Sequence, residues 1–270
     1  MLLRIIMAII ILPFLYIIIF LKNPYFFVGL VIIALTIALN EIYLMLNKKG
    51  LKPFFITGNI FALVLYYMVI FNSNTVYFFG FIALFLILSF TFVVVSKKII
   101  YFQKIISTIM PVIYIGFLGL FGIKLRLLEN GSYYIFILLF ITYIYDAGAY
   151  FIGSSIGKHK LIPSISPGKT IEGCIGGLIT AIFFTVIIHY LFLPKGLLGQ
   201  NQLLHLVILS IVLSITGQIG DISASLVKRF SNVKNSSDII PGHGGILDKI
   251  DSSLFNAPVL FFYLKFFIIY

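Results

Sequence analysis

Carboxylates and basic side chains alternate in one polar stretch near the end of the chain, from Asp221 to Asp251. The polar residues between these two acids include Ser225, Lys228, Arg229, Lys234, His243, Asp248 and Lys249. Proteins normally hold Mg²⁺ with one or two carboxylates together with phosphate oxygens of a substrate. Lys and Arg neutralise phosphate charge as it develops during a transfer reaction. The stretch therefore predicts phosphate chemistry supported by Mg²⁺.

A glycine-rich run, residues 241–245, divides the basic part of this stretch from its acidic part. Glycine lets a backbone approach a ligand closely and present N–H groups to an anion. Gly244 and Gly245 are therefore candidates for a phosphate cradle, with His243 as a metal or phosphate contact, although a tight turn has the same composition. Asp248 and Asp251 are three residues apart and share a face if the segment is helical.

A second polar group lies upstream, at Asp146 and in the stretch around Lys169 and Glu172. Asp146 stands inside an apolar segment, and carboxylates at membrane depth are costly and usually mark a functional site. Lys158 and Lys160 are equally well explained as topology charges or as ligand contacts. We expect Asp146, Lys169 and Glu172 to complete the site formed by the later stretch.

The elements that must position these residues are membrane helices. Of 270 residues, 61% are hydrophobic and only 10% are charged, with a mean hydropathy of +1.16. Soluble domains carry roughly 25% charged residues, and a spanning helix needs about 20 apolar residues. We predict an all-α, polytopic membrane bundle with about nine transmembrane helices. The apolar segments are 5–21, 25–46, 54–71, 76–95, 105–123, 133–152, 173–193, 203–220 and 253–270.

The distribution of positive charge predicts the orientation. With nine spans, one side of the membrane receives 14 Lys and Arg residues and the other receives four, and the positive side is cytosolic. The N-terminus and the long connections 153–172 and 221–252 then lie in the cytosol. We treat residues 1–270 as one domain, with a helical scaffold (1–132) and a catalytic half (133–270).

The net charge of +11 does not indicate nucleic-acid binding, because the basic residues lie in short gaps between apolar runs. A basic domain that could follow a phosphate backbone is not visible in the sequence. The single cysteine, Cys174, excludes an intramolecular disulfide and a multi-cysteine metal site. We interpret it as a small apolar helix residue.

The late polar stretch closely resembles the signature of the phosphatidate cytidylyltransferase family, the CDP-diacylglycerol synthases. The residues that carry the resemblance are Ser225-x2-Lys228-Arg229-x4-Lys234-Asn235-x-Ser237-x2-Ile240-Pro241-x-His243-Gly244-Gly245-x2-Asp248-Lys249-x-Asp251. The region from Asp146 to Gly173 is similar to the upstream region of these enzymes. The sequence departs from the family where Asn235 replaces Asp and Lys249 replaces Arg, so Asn235 loses a charge and Lys249 loses bidentate geometry. Two further departures are Gly168 for Lys and Ile171 for an aromatic residue.

The resemblance implies that CTP and phosphatidic acid react to give CDP-diacylglycerol and pyrophosphate at a bacterial cell membrane, with Mg²⁺ required. The implied metal ligands are Asp221, Asp248 and Asp251. Phosphate contacts would come from Lys228, Arg229, Lys234, Lys249, His243 and the glycine run, with Ser225, Lys169, Glu172 and Asp146 as further substrate-binding residues. Implied partners are the two substrates and the bilayer, and a homodimer is left open.

Two other functions remain open at this stage. An ion-coupled transporter would use Asp146 and Asp221 as part of an ion path, and it would not depend on CTP. A CTP-dependent polyprenol kinase would transfer the terminal phosphate and release CDP instead of pyrophosphate.

Overall fold

The computed structural model describes residues 13–71, 74–239 and 244–269, and most of them are helical. The described part of helix α1 covers residues 13–20. The following helices are α2 (Tyr25–Lys48), α3 (Phe55–Phe71), α4 (Thr75–Ser96), α5 (Ile100–Pro111), α6 (Leu118–Leu127), α7 (Gly131–Ile156), α8 (Ile171–Leu191), α9 (Gln202–Phe230) and α10 (Leu247–Phe267). A π-helical stretch, Val112–Phe117, joins α5 and α6 into one continuous helix.

Six helices of the described residues are long and apolar enough to cross a membrane. They are α2, α4, the continuous helix Ile100–Leu127, α7, α8 and α9. The predicted multi-pass helix bundle is confirmed in this form. Helices in the described residues overlap all nine predicted segments, although residues 5–12 of the first segment lie outside the described part. Nine crossings and a cytosolic N-terminus stay predictions.

The two predicted connections, 153–172 and 221–252, are shorter in the structure than we expected. Helix α9 continues past Asp221 to Phe230, α7 continues to Ile156, and α10 already begins at Leu247. The apolar run of α9 ends at Asp221, but its helical backbone continues to Phe230. Lys228 and Arg229 lie in the last turn of α9, where positive charge favours the helix C-terminus.

A small β-hairpin departs from the all-α prediction. Strand β1 (Lys160–Ile162) pairs antiparallel with β2 (Ser166–Thr170), and Lys160 lies opposite Thr170. The Ile171 N–H donates to the His159 carbonyl at 2.9 Å, which joins the hairpin directly to the start of α8. The strands are three and five residues long, too short for an alternating pattern to stand out in the sequence.

Glycines allow the helices that carry the polar residues to pack closely. On α8, an added Cβ at Gly177 would lie 2.8 Å from the Tyr145 carbonyl oxygen of α7. On α9, an added Cβ at Gly220 would lie 2.6 Å from the Asp251 carbonyl oxygen of α10. Small residues at membrane helix interfaces permit such close approach, and here they let α8 pack on the helix that carries Asp146 and let α9, with Asp221, pack on the helix that carries Asp251.

Two buried apolar clusters form the core, and α10 belongs to both. One cluster is built mainly from α7 and α9, and it includes Leu260 of α10. The other is built mainly from α2, α3 and the helix Ile100–Leu127, and it includes Leu247 and Leu254 of α10. Asp248 and Asp251 lie near the start of α10. The scaffold helices that pack on α10 therefore help to fix the positions of these two acids.

Candidate functional site

Arg229 joins the two polar connections at one end of the bundle. Its Nε donates to the Ile165 carbonyl in the turn of the hairpin at 3.1 Å, and one terminal nitrogen donates to the Val233 carbonyl at 3.3 Å. The expected proximity of the two stretches is therefore found. Arg229 was predicted to contact phosphate, and in this arrangement these donors bind the protein backbone.

An open cavity of about 700 Å³ lies where α7, α8, α9 and the hairpin meet. Asp146, Lys169 and Asp221 line it, as the sequence interpretation expected of a shared site. Lys169 Nζ lies 2.6 Å from Asp221 Oδ2, and both side chains remain partly exposed. An ion pair that is open to solvent on one side can exchange partners when an anion or a cation binds.

One wall of this cavity carries three linked polar side chains. The Tyr145 hydroxyl donates to Gln218 Oε1, Gln218 Nε2 donates to Cys174 Sγ at 2.7 Å, and the Cys174 thiol donates to the Thr170 carbonyl at 3.0 Å. We expected Cys174 to be a small apolar helix residue. It is in a helix, but it lines the polar cavity and takes part in its hydrogen bonding.

Glu172 fastens the hairpin to the first turn of α8. Its carboxylate accepts the His159 N–H at 3.2 Å and lies 2.6 Å from His159 Nδ1. Thr170 caps the same helix by accepting the Gly173 N–H at 3.1 Å. Glu172 was predicted to bind substrate, but here it holds the loop that carries Lys169.

Asp248 is surrounded by donors from the chain itself. Its Oδ1 lies 2.5 Å from Lys228 Nζ, and its Oδ2 accepts the backbone N–H groups of Ser236 and Gly245, each at 3.1 Å. Burial acts to raise the pKa of Asp248, but Lys228 and the two N–H groups outweigh burial and lower it. Asp248 is therefore a carboxylate near neutral pH, and it organises the loop in front of α10.

Glu41 of α2 was not among the predicted site residues, yet it binds the loop before α10 and the first residue of α10. Its side chain is only 1% exposed. Oε1 accepts the Ser237 hydroxyl at 2.5 Å and the Ile246 N–H at 2.9 Å, and Oε2 accepts the Ser236 hydroxyl at 2.9 Å and the Leu247 N–H at 2.8 Å. A carboxylate at the start of α10 also interacts favourably with the helix dipole.

The described part of the glycine run is packed against these carboxylates. Gly244 has a φ of +84°, which favours glycine, and a Cβ on Gly245 would overlap Ser236 Oγ and the Glu41 carboxylate. The Gly245 N–H is taken by Asp248. His243, which was predicted to contact metal or phosphate, lies outside the described residues.

Asp146, Asp221 and Asp251 lie close enough to interact electrostatically across the junction of α7, α9 and α10. Asp251 is buried and accepts the Ser252 N–H at 2.8 Å, whereas Asp146 is exposed to the cavity. Within residues 13–71, 74–239 and 244–269, no group of three or more His, Cys, Asp or Glu side chains is arranged to hold a metal ion. Asp248 in particular is occupied by Lys228.

Three other predicted residues lie on α9, in the connection after it and on α10. Ser225 is buried on α9, whereas Lys234 and Lys249 are exposed. Lys249 is close enough to Asp146 to interact with its charge. The side chains of Lys234 and Lys249 are therefore accessible to solvent.

Comparison with known proteins identifies the family. A profile of the cytidylyltransferase family matches residues 2–267. The chain belongs to the cytidylyltransferase family. It is 40% identical over 190 residues to a phosphatidate cytidylyltransferase of Bacillus subtilis strain 168, covering 69% of this chain and 68% of the relative. It is 37% identical over 237 residues to one of Staphylococcus epidermidis strain RP62A, covering 86% and 88%.

In this member of the cytidylyltransferase family, sequence reasoning missed Glu41 and Ser236, together with Tyr145 and Gln218 of the cavity wall. A signal for Glu41 was present, because it is a carboxylate inside the apolar segment 25–46, and such residues usually have a function. Ser236 offered no comparable signal, since serine is common in polar loops. The two departures Asn235 and Lys249 both lie at exposed positions.

Proposed function

We propose that this chain transfers the cytidylyl group of CTP to phosphatidic acid, giving CDP-diacylglycerol and pyrophosphate. The observation that carries the proposal is the Lys169–Asp221 pair in a 700 Å³ cavity at one end of a membrane helix bundle. Membership of the cytidylyltransferase family and the names of the relatives support it. A nucleotide and a membrane lipid can meet at such a boundary.

The reaction needs no covalent intermediate with the protein. An oxygen of the lipid phosphate attacks the α-phosphorus of CTP and forms a new P–O bond. The bond between the α-phosphorus and the oxygen bridging to the β-phosphorus breaks, and its electrons leave with pyrophosphate. Catalysis then rests on positioning and on neutralising phosphate charge. Lys169 in the cavity and the exposed Lys249 supply positive charge for this purpose.

The residues around the cavity fit Mg²⁺ as a cofactor. Asp221 is partly exposed there, with Asp146 and Asp251 in electrostatic reach, and one or two carboxylates plus phosphate oxygens suffice for Mg²⁺. When bound, the ion would withdraw charge from the triphosphate. Asp221 is the first candidate ligand and Asp251 the second. Asp248, bound to Lys228, keeps the neighbouring loop in shape.

An apolar cavity of about 110 Å³ beside the carboxylates supports a lipid substrate. It lies between α2, α6, α7 and α10, and its lining includes Gly122, Tyr143 and Ile250. Tyr143 is in electrostatic reach of Asp146 and Asp251. We assign this slot to a segment of one acyl chain of the lipid substrate. The positive-inside pattern supports a site that faces the cytosol of a bacterial cell.

The direct test uses membranes that contain the protein, given CTP labelled in cytidine, phosphatidic acid and Mg²⁺. We expect cytidine label in the lipid fraction and an equal amount of pyrophosphate. Asp221→Asn and Lys169→Met should lower the rate by about 10²-fold or more, as loss of a transition-state contact does. Asp238→Asn is the control, because Asp238 is an exposed acid in the connection between α9 and α10 and does not line the cavity.

Other outcomes would refute the proposal. Lipid that carries the terminal phosphate of CTP, with release of CDP, would identify a kinase. Solute flux in sealed vesicles that does not require CTP would identify a transporter. Wild-type protein that labels lipid no better than Asp221→Asn would exclude the cytidylyl transfer.

A further inference from the structure

A chain of three polar side chains crosses the interior of the bundle below the cavity. Asn256 of α10 is 0% exposed. Its Oδ1 accepts the Thr216 hydroxyl of α9 at 2.5 Å, and its Nδ2 donates to Thr142 Oγ1 of α7 at 2.8 Å. The Thr142 hydroxyl donates onward to the Leu138 carbonyl at 2.7 Å. We call Thr142, Thr216 and Asn256 the polar triad.

Each member of the triad lies on the same helix as one of the three interacting carboxylates. Thr142 precedes Asp146 by four residues on α7, and Thr216 precedes Asp221 by five on α9. Asn256 follows Asp251 by five residues on α10, which runs in the opposite direction. With a rise of about 1.5 Å per residue, the triad forms a layer about 6 to 7.5 Å deeper than the carboxylates on all three helices.

Such a layer can fix how far each helix extends towards the site. Apolar side chains tolerate sliding, because one apolar contact replaces another, and lipid offers no hydrophobic force between helices. A buried amide cannot slide in the same way, since each lost hydrogen bond leaves a polar group unpaired in apolar surroundings. A single buried Asn fixes helix register in coiled coils for this reason. Gly217 adds to the constraint, because a Cβ there would lie 2.8 Å from Asn256 Nδ2.

We propose that the polar triad is a register lock that sets the relative heights of Asp146, Asp221 and Asp251. Its members are positioning residues that act through these carboxylates. The proposal rests on the proposed function for its kinetic test but not for its binding test. It predicts that removal of a triad hydroxyl, with its volume retained, disturbs Mg²⁺ and CTP binding at a distance.

The test compares hydroxyl deletions with a matched control. Thr142→Val and Thr216→Val remove one hydroxyl each and keep the branched shape. Thr185→Val is the control, because Thr185, like Thr142, is buried in a helix, and its Oγ1 has no hydrogen-bond partner among the described residues. Thr216→Ser keeps the hydroxyl and removes only a methyl group.

Two measurements are made on each purified protein. The first is the dependence of cytidylyl transfer on Mg²⁺ and CTP. We expect the Val variants at Thr142 and Thr216 to lose about 10 to 100-fold in kcat/KM, the range for residues that support metal ligands. The second is the rise in unfolding temperature when Mg²⁺ and CTP are added, which reports binding without turnover. We expect this rise to shrink in both Val variants and to be unchanged in Thr185→Val and Thr216→Ser.

Specific results would overturn the lock. Thr142→Val and Thr216→Val could retain the Mg²⁺ and CTP responses of Thr185→Val, which would show that the hydroxyls do not position the carboxylates. If a Val variant does not fold, Thr216→Ser decides, because a loss of the binding response with the hydroxyl in place would assign the effect to packing. A wild-type protein that binds Mg²⁺ and CTP but transfers no cytidylyl group would refute the proposed function. The register lock would then be judged from the rise in unfolding temperature alone.

Discussion

The carboxylates of Glu41 and Asp248 both lie within hydrogen-bond distance of one hydroxyl. Ser236 Oγ is 2.9 Å from Glu41 Oε2 and 3.0 Å from Asp248 Oδ2. A serine hydroxyl has one proton and can donate to only one of them at a time. The remaining bonds to both acids come from backbone N–H groups and from Lys228 and Ser237. Residues 236–237 and 245–246 of this loop are therefore held between helix α2 and helix α10.

Glu41→Gln should destabilise the protein and lower its activity. The amide nitrogen would face donors that now bind a carboxylate oxygen, so buried N–H groups lose acceptors at a cost of roughly 1–3 kcal/mol. Thermal unfolding and cytidylyl transfer measure the two effects. Glu129→Gln is the control, because Glu129 is exposed. Equal unfolding temperatures for the two variants would contradict a clamping role for Glu41.

Gly245→Ala should disrupt the same loop by steric overlap. A Cβ at this position would meet Ser236 Oγ and Glu41, and no rotamer can remove a Cβ. We expect at least a tenfold loss of transfer activity, because small displacements near a phosphate site cost about 10²-fold. Gly29→Ala on α2 is the control, since a Cβ there meets nothing within 4 Å. Full activity of Gly245→Ala would show that the loop can shift without consequence.

Asp248→Asn should lower stability at neutral pH but not in strong acid. The pKa of Asp248 is lowered below 3.8 in the folded protein, so its contribution to stability is present above the unfolded pKa. The contribution is lost as pH falls through the folded pKa. We expect the free energy of unfolding of Asp248→Asn to be lower than that of the wild type by roughly 1–3 kcal/mol at pH 7. The unfolding temperatures of the two proteins, measured as a function of pH, should converge at pH values below 3.8. A difference in unfolding temperature that stays constant with pH would contradict the ion pair with Lys228.

Cys174 offers a direct probe of the cavity because it is the single cysteine of the chain and lines the cavity wall. CTP with Mg²⁺ should slow its reaction with a maleimide, since the bound nucleotide covers the wall. The measurement is the labelling rate against CTP concentration. As a control, Cys174→Ser combined with Asp238→Cys places the thiol at an exposed site and should label independently of CTP. An unchanged labelling rate of Cys174 at saturating CTP would show that the nucleotide does not bind against this cavity wall.

Gly122→Leu should raise the KM for phosphatidic acid and leave the KM for CTP unchanged. Gly122 lines the apolar slot, and a Cβ there meets nothing within 4 Å, so the larger side chain fills space rather than clashing. The effect should be greater for long acyl chains than for short ones. Gly80→Leu on α4 is the matched control, because its Cβ position is also open. The same KM values in both variants would refute the acyl-chain slot.

The proximity of the two polar stretches was predictable from residue types alone. Alternating acids and bases identified the stretch from Asp221 to Asp251, and the carboxylate at Asp146 indicated a second contribution. The roles of individual residues were harder to predict. Glu172 and Arg229 carry charges that suit a substrate, but they bind His159 and the Ile165 carbonyl. A charged side chain has the same appearance in a sequence whether it binds a ligand or a loop.

The sequence by itself determined that the chain is a membrane helix bundle, because a chain with 10% charged residues cannot form a water-exposed surface. It also predicted which segment would carry phosphate chemistry, since acids and bases alternate there. Only the tertiary structure decided which acids meet which partners. Glu41 and Ser236 are 195 positions apart, and contacts at that separation depend on how helices pack. Helix packing is set by glycine surfaces and buried polar groups whose partners no local pattern records.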